Sequence, residues 1–177
     1  MKDRSSIRLS SFDYSSSGSY FITIYSYNMN CIFMNCIFGD VIDEKLILNN
    51  CGNIAKEYWS EIPEHFEKAE IDEFIIMPNH VHGIINIIDD VGVGHVHSDY
   101  NQYQKIIPES IGSIIRSYKG AVTKWIHENT EIINVWQRNY YEHIIQNDDE
   151  LFRIREYIEF NPINWQIEKN EHLSKYW

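Results

Sequence analysis

The chain is short of positive charge. Lys and Arg number 15 against 26 Asp and Glu, giving a formal net charge of −11. A broad basic surface that grips nucleic acid by its phosphates is therefore excluded. Any DNA contact must be local, strongly salt-dependent, and supported by stacking and hydrogen bonds. Cysteine is also scarce. Cys31, Cys36 and Cys51 form no CxxC pair and are odd in number, which argues against a disulfide framework or a zinc knuckle and for a reducing cytoplasm. Long apolar runs are missing. None approaches the roughly 18 to 20 residues needed to cross a membrane. The opening MKDRSSIRLSSFDYSSSGSY is polar and Ser-rich, unlike a secretory signal, so no membrane partner is expected.

What remains is a chain of 177 residues, 44% hydrophobic and 14% aromatic, without an internal repeat or clear linker. That suits one domain spanning 1–177, with 1–18 as a loosely packed lead-in. Tyr20–Met34 reads as a strand entering a turn at Asn28–Asn30. Cys36–Leu48 reads as extended, with a turn at Gly39–Asp40. A helix is predicted over Asn50–Ile62, capped by Asn49 or Asn50, with Ile54, Tyr58 and Ile62 recurring on one face and Pro63 near its end. Ile71–Met77 and His80–Ile88 read as strands around a break at Pro78–Asn79. Residues 89–109, with Gly92 and Gly94, read as a mobile loop.

Ser110–Glu128 is a predicted helix capped by Ser110 or Ser113. Its apolar stripe is Ile111, Ile114, Ile115, Tyr118, Val122, Trp125 and Ile126. Ile132–Gln146 reads as a strand with a turn. Asp148–Phe160 reads as a helix opened by three acidic residues and stopped near Asn161 by Pro162. This order predicts an α+β, ferredoxin-like sandwich, an antiparallel sheet with helices packed on one face.

Three constellations carry chemistry. On a strand, His80 and His82 project from the same face while Val81 points away, placing two imidazoles where a divalent metal could be held. Gly83 beside them allows a close approach. His95-Val96-His97 repeats the tripeptide inside the loop, where a solvated role is the simpler reading; the rigidity of a strand favours His80 and His82. In Tyr157-Ile158-Glu159-Phe160-Asn161, four-residue spacing makes Tyr157 and Asn161 neighbours on a helix. A phenol needs an activating group to attack at neutral pH. Asn161 offers a hard oxygen donor, although one of 12 tyrosines can equally be ordinary packing. Third, Trp136-Gln137-Arg138-Asn139-Tyr140-Tyr141-Glu142-His143 interleaves aromatics with a cation, as base stacking and phosphate contact require, or as an ordinary amphipathic strand would. Arg116, Lys119 and Lys124 are further candidates for phosphate contact.

In this order the chain resembles the REP-associated tyrosine transposases, a branch of the single-tyrosine HUH transposases of bacterial insertion sequences. The resemblance begins at Arg8-Leu9, Tyr14 and Gly18–Thr23. It continues through Asp72–Ile84, Ser117-Tyr118-Lys119 and Trp136–His143, and ends with Tyr157–Trp165. It implies that His80 and His82 are the HUH histidines, Tyr157 the nucleophile and Asn161 the third metal ligand, where insertion-sequence relatives often carry Gln. It also implies Mg²⁺ or Mn²⁺ as cofactor, single-stranded or hairpin DNA as substrate, and a 5′-phosphotyrosine intermediate. The candidate DNA contacts, from charge and aromatic character, are Arg116, Lys119, Arg138, Tyr140 and His143. Relatives act alone or as homodimers. The alternatives are a catalytically silent hairpin-binding protein and a metalloenzyme with no nucleic-acid substrate.

Overall fold

A computed structural model describes residues 17–27, 36–88 and 108–174, with side chains described through residue 167. The lead-in to residue 16, the expected turn at Asn28–Asn30, most of the loop at 89–109 and the His95/His97 pair lie outside the described residues.

Period-two patterning produces the central sheet. Strands β1 (Gly18–Tyr25), β4 (Ala69–Ile76), β5 (His80–Ile87) and β6 (Tyr141–Ile145) lie in the order β4-β5-β1-β6, every neighbouring pair antiparallel. Helix α1 (Asn50–Ser60) joins β1 to β4 in sequence, and α3 (Ile111–Asn129) joins β5 to β6. That is the β-α-β-β-α-β succession and strand order of a ferredoxin-like sandwich, as the sequence predicts. On the inner face of the sheet, Tyr20, Ile22 and Ile24 of β1 and Val81, Ile85 and Ile87 of β5 form one buried cluster with Ala55 and Trp59 of α1 and Ile114, Ile115, Tyr118, Val122 and Ile126 of α3. Burying each such aliphatic side chain contributes about 1.5–3 kcal/mol. Ser110 caps α3 by accepting from the Ser113 amide, and Asn49 caps α1 by accepting from the Gly52 amide.

Several local expectations are corrected. The turn is not at Gly39–Asp40, which begin strand β2 (Gly39–Ile42). It falls at Asp43–Glu44, between β2 and β3 (Lys45–Leu48), where both residues take positive φ of 51° and 62°. This is a hairpin turn without its usual Gly, so the local signal was faint. Gly39 is instead needed because a Cβ there would stand 2.2 Å from the Ile47 carbonyl oxygen. The buried face of α1 is Cys51, Ala55 and Trp59, one position on from the Ile54/Tyr58 stripe, because Trp59 fills the space over the sheet. Pro63 lies in a separate short helix, α2 (Ile62–His65). Of Ile132–Gln146, only β6 is regular strand. Residues before it run beside β1 through a Ser26–Trp136 bridge and a Gln137 N–H bond to the Tyr25 carbonyl. Cys51 is free and buried, whereas Cys36 is disulfide-bonded, against the expectation of unpaired cysteines.

Helix α4 (Asp148–Glu159) ends as expected, but Pro162 does not end helical structure. After a break at Phe160 the chain starts α5 (Asn161–Ser174), with Pro162 in its first turn, where a missing N–H costs nothing. Helices α4 and α5 lie on the outer face of the sheet, opposite α1 and α3. Trp165 of α5 packs there with Cys36, Val41 and Met77. Among the described residues no helix is long and apolar enough to cross a membrane.

Candidate active site

His80 and His82 both project from the outer face of β5, and Val81 between them is fully buried in the core. The next core-facing residue is Gly83. A Cβ there would stand 2.4 Å from Cζ2 of Trp59, so the close approach that Gly83 permits is by a core ring. The sheet register puts Tyr25 opposite His80 and Thr23 opposite His82. The imidazole centroids are 4.4 Å apart, and the residues are only 8% and 4% exposed.

Burial and hydrogen bonding set the state of both rings. Burial drives the His80 pKa from 6.5 down to about 4, with Asn161 beside it acting in the other direction. Burial, then the charge His80 would carry, drives His82 down to about 3, opposed by the Ile22 backbone. Both rings are therefore neutral at pH 7. Nδ1 of His80 is 2.6 Å from Oδ1 of Asn79, which can only accept, so Nδ1 carries the proton and Nε2 keeps its lone pair. That Nε2 is buried and has no hydrogen-bond partner. Nδ1 of His82 lies 2.8 Å from Oγ1 of Thr23, a contact that holds the ring with Nε2 toward the site. Phe21 stacks on the His82 ring at 5.3 Å.

Tyr157 arrives from α4. Its hydroxyl lies 3.3 Å from Nε2 of His82, with 47% of the residue exposed. Asn161, at the start of α5, is buried beside His80. The four residues singled out in the sequence thus meet on one face of the sheet within one chain. Neutral imidazole nitrogens and an amide oxygen suit a divalent cation. The orphaned Nε2 of His80 is the kind of buried atom a metal would satisfy. Among the described residues no cluster of three or more His, Cys, Asp or Glu gathers, so Asn161 is the third donor on offer.

The proposed DNA contacts scatter more widely. Arg116 is exposed on α3. Lys119 is turned inward, donating to the carbonyls of Gln137 at 2.7 Å and Asn139 at 2.9 Å, and burial lowers its pKa to about 8. It shapes the segment before β6 instead of reaching outward. Arg138 is exposed on that segment. It borders an open groove of about 710 Å³ that also takes in Lys124, His127 and Ile133. Tyr140 packs against the core, and His143 is engaged by Glu150 at 2.8 Å. Sequence reasoning missed Thr23 and Asn79, which hold the two histidine rings. Asn79 directly precedes His80. Thr23 could have been found only by knowing the register of β1 on β5.

No family model matches the chain. A protein of Haemophilus influenzae described as uncharacterized is 46% identical over 167 residues, covering 92% of this chain and 90% of that protein. The chain belongs to the same family as that protein. Among solved structures, a REP-associated tyrosine transposase bound to a REP hairpin matches with a TM-score of 0.57 at 16% identity, over 93% of this chain and 74% of the other. The fold is therefore transposase-like.

Proposed function

We propose that this protein is a metal-dependent tyrosine nuclease and strand transferase acting on hairpin-forming single-stranded DNA. The observation that carries this reading is the 3.3 Å approach of the Tyr157 hydroxyl to Nε2 of His82, beside a second neutral histidine whose Nε2 is buried and unpaired. The solved relative is a tyrosine transposase bound to a hairpin, which supports DNA as the substrate.

His80 and His82 through Nε2, with the Asn161 amide oxygen, would hold Mg²⁺ or Mn²⁺. When bound, such an ion polarises a phosphate oxygen and offsets charge in the transition state. The chain's own groups do the rest. Asn79 holds the tautomer that leaves the His80 Nε2 lone pair available, and Thr23 orients the His82 ring with Nε2 toward the site. Phe21, stacked on His82, keeps water from one face of that ring. The Tyr157 oxygen forms a bond to phosphorus and loses its proton, while the bond from phosphorus to the 3′ oxygen breaks and that oxygen leaves as a free hydroxyl. The resulting 5′-phosphotyrosine preserves the phosphodiester's energy for the reverse, joining step. Arg116, Arg138 and the exposed Tyr141 are the outward groups for the strand.

An amide is a weaker third ligand than a carboxylate, and this favours, as a second reading, a hairpin binder without chemistry. Labelled hairpin DNA incubated with Mn²⁺ separates the two. The nuclease gives a covalent adduct on a denaturing gel that EDTA abolishes, whereas the silent binder gives a salt-sensitive complex and no adduct. A metalloenzyme with no nucleic-acid substrate binds Mn²⁺ but no DNA at any salt concentration.

A further inference from the structure

The position of Tyr157 depends on α4, and apolar packing holds α4 weakly. Of its 12 residues only Ile158 is buried. The strongest link to the sheet is polar. Nε of Arg155 lies 2.9 Å from Oδ1 of Asp72 on β4, and Nη2 lies 2.5 Å from Oδ2. The Asp72 side chain is 14% exposed and that of Arg155 44%.

Asp72 is placed for this by an irregularity in its strand. Between Ile71 and Phe74 the register of β4 against β5 shifts, giving β4 one residue more than its partner. Such bulges turn a side chain to a new direction. The Asp72 carboxylate also accepts from the Glu73 amide at 2.7 Å, which fixes its plane toward α4. The Arg155 guanidinium beside it holds its pKa below the ordinary carboxylate value.

Ion pairs this near the surface usually add little to stability. A two-pronged fork does something else: it fixes both the distance and the orientation of the elements it joins. We propose that Asp72 is a positioning residue, which through Arg155 holds α4 in the place that brings the Tyr157 hydroxyl to His82. This rests on the reading of Tyr157 as the nucleophile. A helix that slides by about 1 Å costs a reaction of this kind on the order of a hundredfold.

The test uses the full chain as wild type, Asp72→Ala, Arg155→Lys and the charge swap Asp72→Arg/Arg155→Asp. It has two readouts: adduct formation on hairpin DNA with Mn²⁺, and amide hydrogen exchange along the chain. Asp72→Ala is expected to slow the adduct rate at saturating DNA by about tenfold to a hundredfold, leaving the half-saturating DNA concentration unchanged. Amide protection should fall in α4 and not in α3. Arg155→Lys, which keeps the charge but not the fork, should resemble Asp72→Ala, and the swap should recover part of both readouts. Unchanged α4 protection in Asp72→Ala overturns the clamp, whatever the rate does. Lost protection with a wild-type rate overturns the positioning role. If wild type forms no adduct, the nucleophile reading fails separately, and the exchange measurement alone decides whether Asp72 holds α4.

Discussion

The Tyr157 hydroxyl lies 3.3 Å from Nε2 of His82, across 75 positions of sequence. The contact joins a helix on the outer face of the sheet to a central strand, and it leaves the same ring nitrogen facing the site. Each group that touches this pair has a testable consequence.

The Thr23 hydroxyl lies 2.8 Å from Nδ1 of His82. Thr23→Val keeps the shape of the side chain and removes that partner. The ring then loses the partner that orients it, and Mn²⁺ affinity measured by calorimetry should fall about tenfold to a hundredfold. Asn79→Ala should act in the same way on His80. Affinity unchanged in both variants would remove the histidine pair from the metal site.

Stability of the metal-free protein should fall on the acid side of neutrality. In the folded chain His80 titrates near 4 and His82 near 3, against 6.5 for an ordinary histidine. Above pH 6.5 both are neutral whether folded or not and contribute no pH dependence. Below it the unfolded chain takes up protons that the folded chain refuses, so stability is lost progressively down to about pH 3. Thermal midpoints in EDTA from pH 8 to pH 4 should drop more steeply for wild type than for His80→Gln/His82→Gln. Parallel slopes would contradict the assigned burial.

Gly83→Ala should destabilise the fold. The added Cβ would meet Trp59 at 2.4 Å, and that ring is pinned between Phe74 and Tyr118. A cost of about 1–3 kcal/mol is expected from urea unfolding. A loss below a few tenths would show that Trp59 can yield.

The sheet and its two inner helices were legible because their patterns are simple. The apolar, β-branched run of His80–Ile87 and the seven-residue stripe of α3 carry most of that signal. The Asp43–Glu44 turn was not legible, since neither residue is the Gly or Asn that positive φ favours. Pro162 misled in the opposite way: the rule that ends a helix before proline also permits proline to open the next one. Of the site, the two histidines, Tyr157 and Asn161 could be named from spacing and resemblance. Thr23, Asp72 and Arg155 could not, because each acts through a partner across the sheet. Lys119 looked like a phosphate contact from its charge alone, and only the fold shows its ammonium held by two backbone carbonyls.

The central claim is that Tyr157 is the atom donor for a covalent link to DNA. The most direct measurement is mass spectrometry of peptides from the protein after incubation with hairpin-containing single-stranded DNA and Mn²⁺, run in parallel on Tyr157→Phe. The account predicts a nucleotide-modified peptide centred on Tyr157 in wild type and none in the variant, with DNA binding retained in both. A covalent adduct that persists in Tyr157→Phe, or one mapped to another residue, would contradict it.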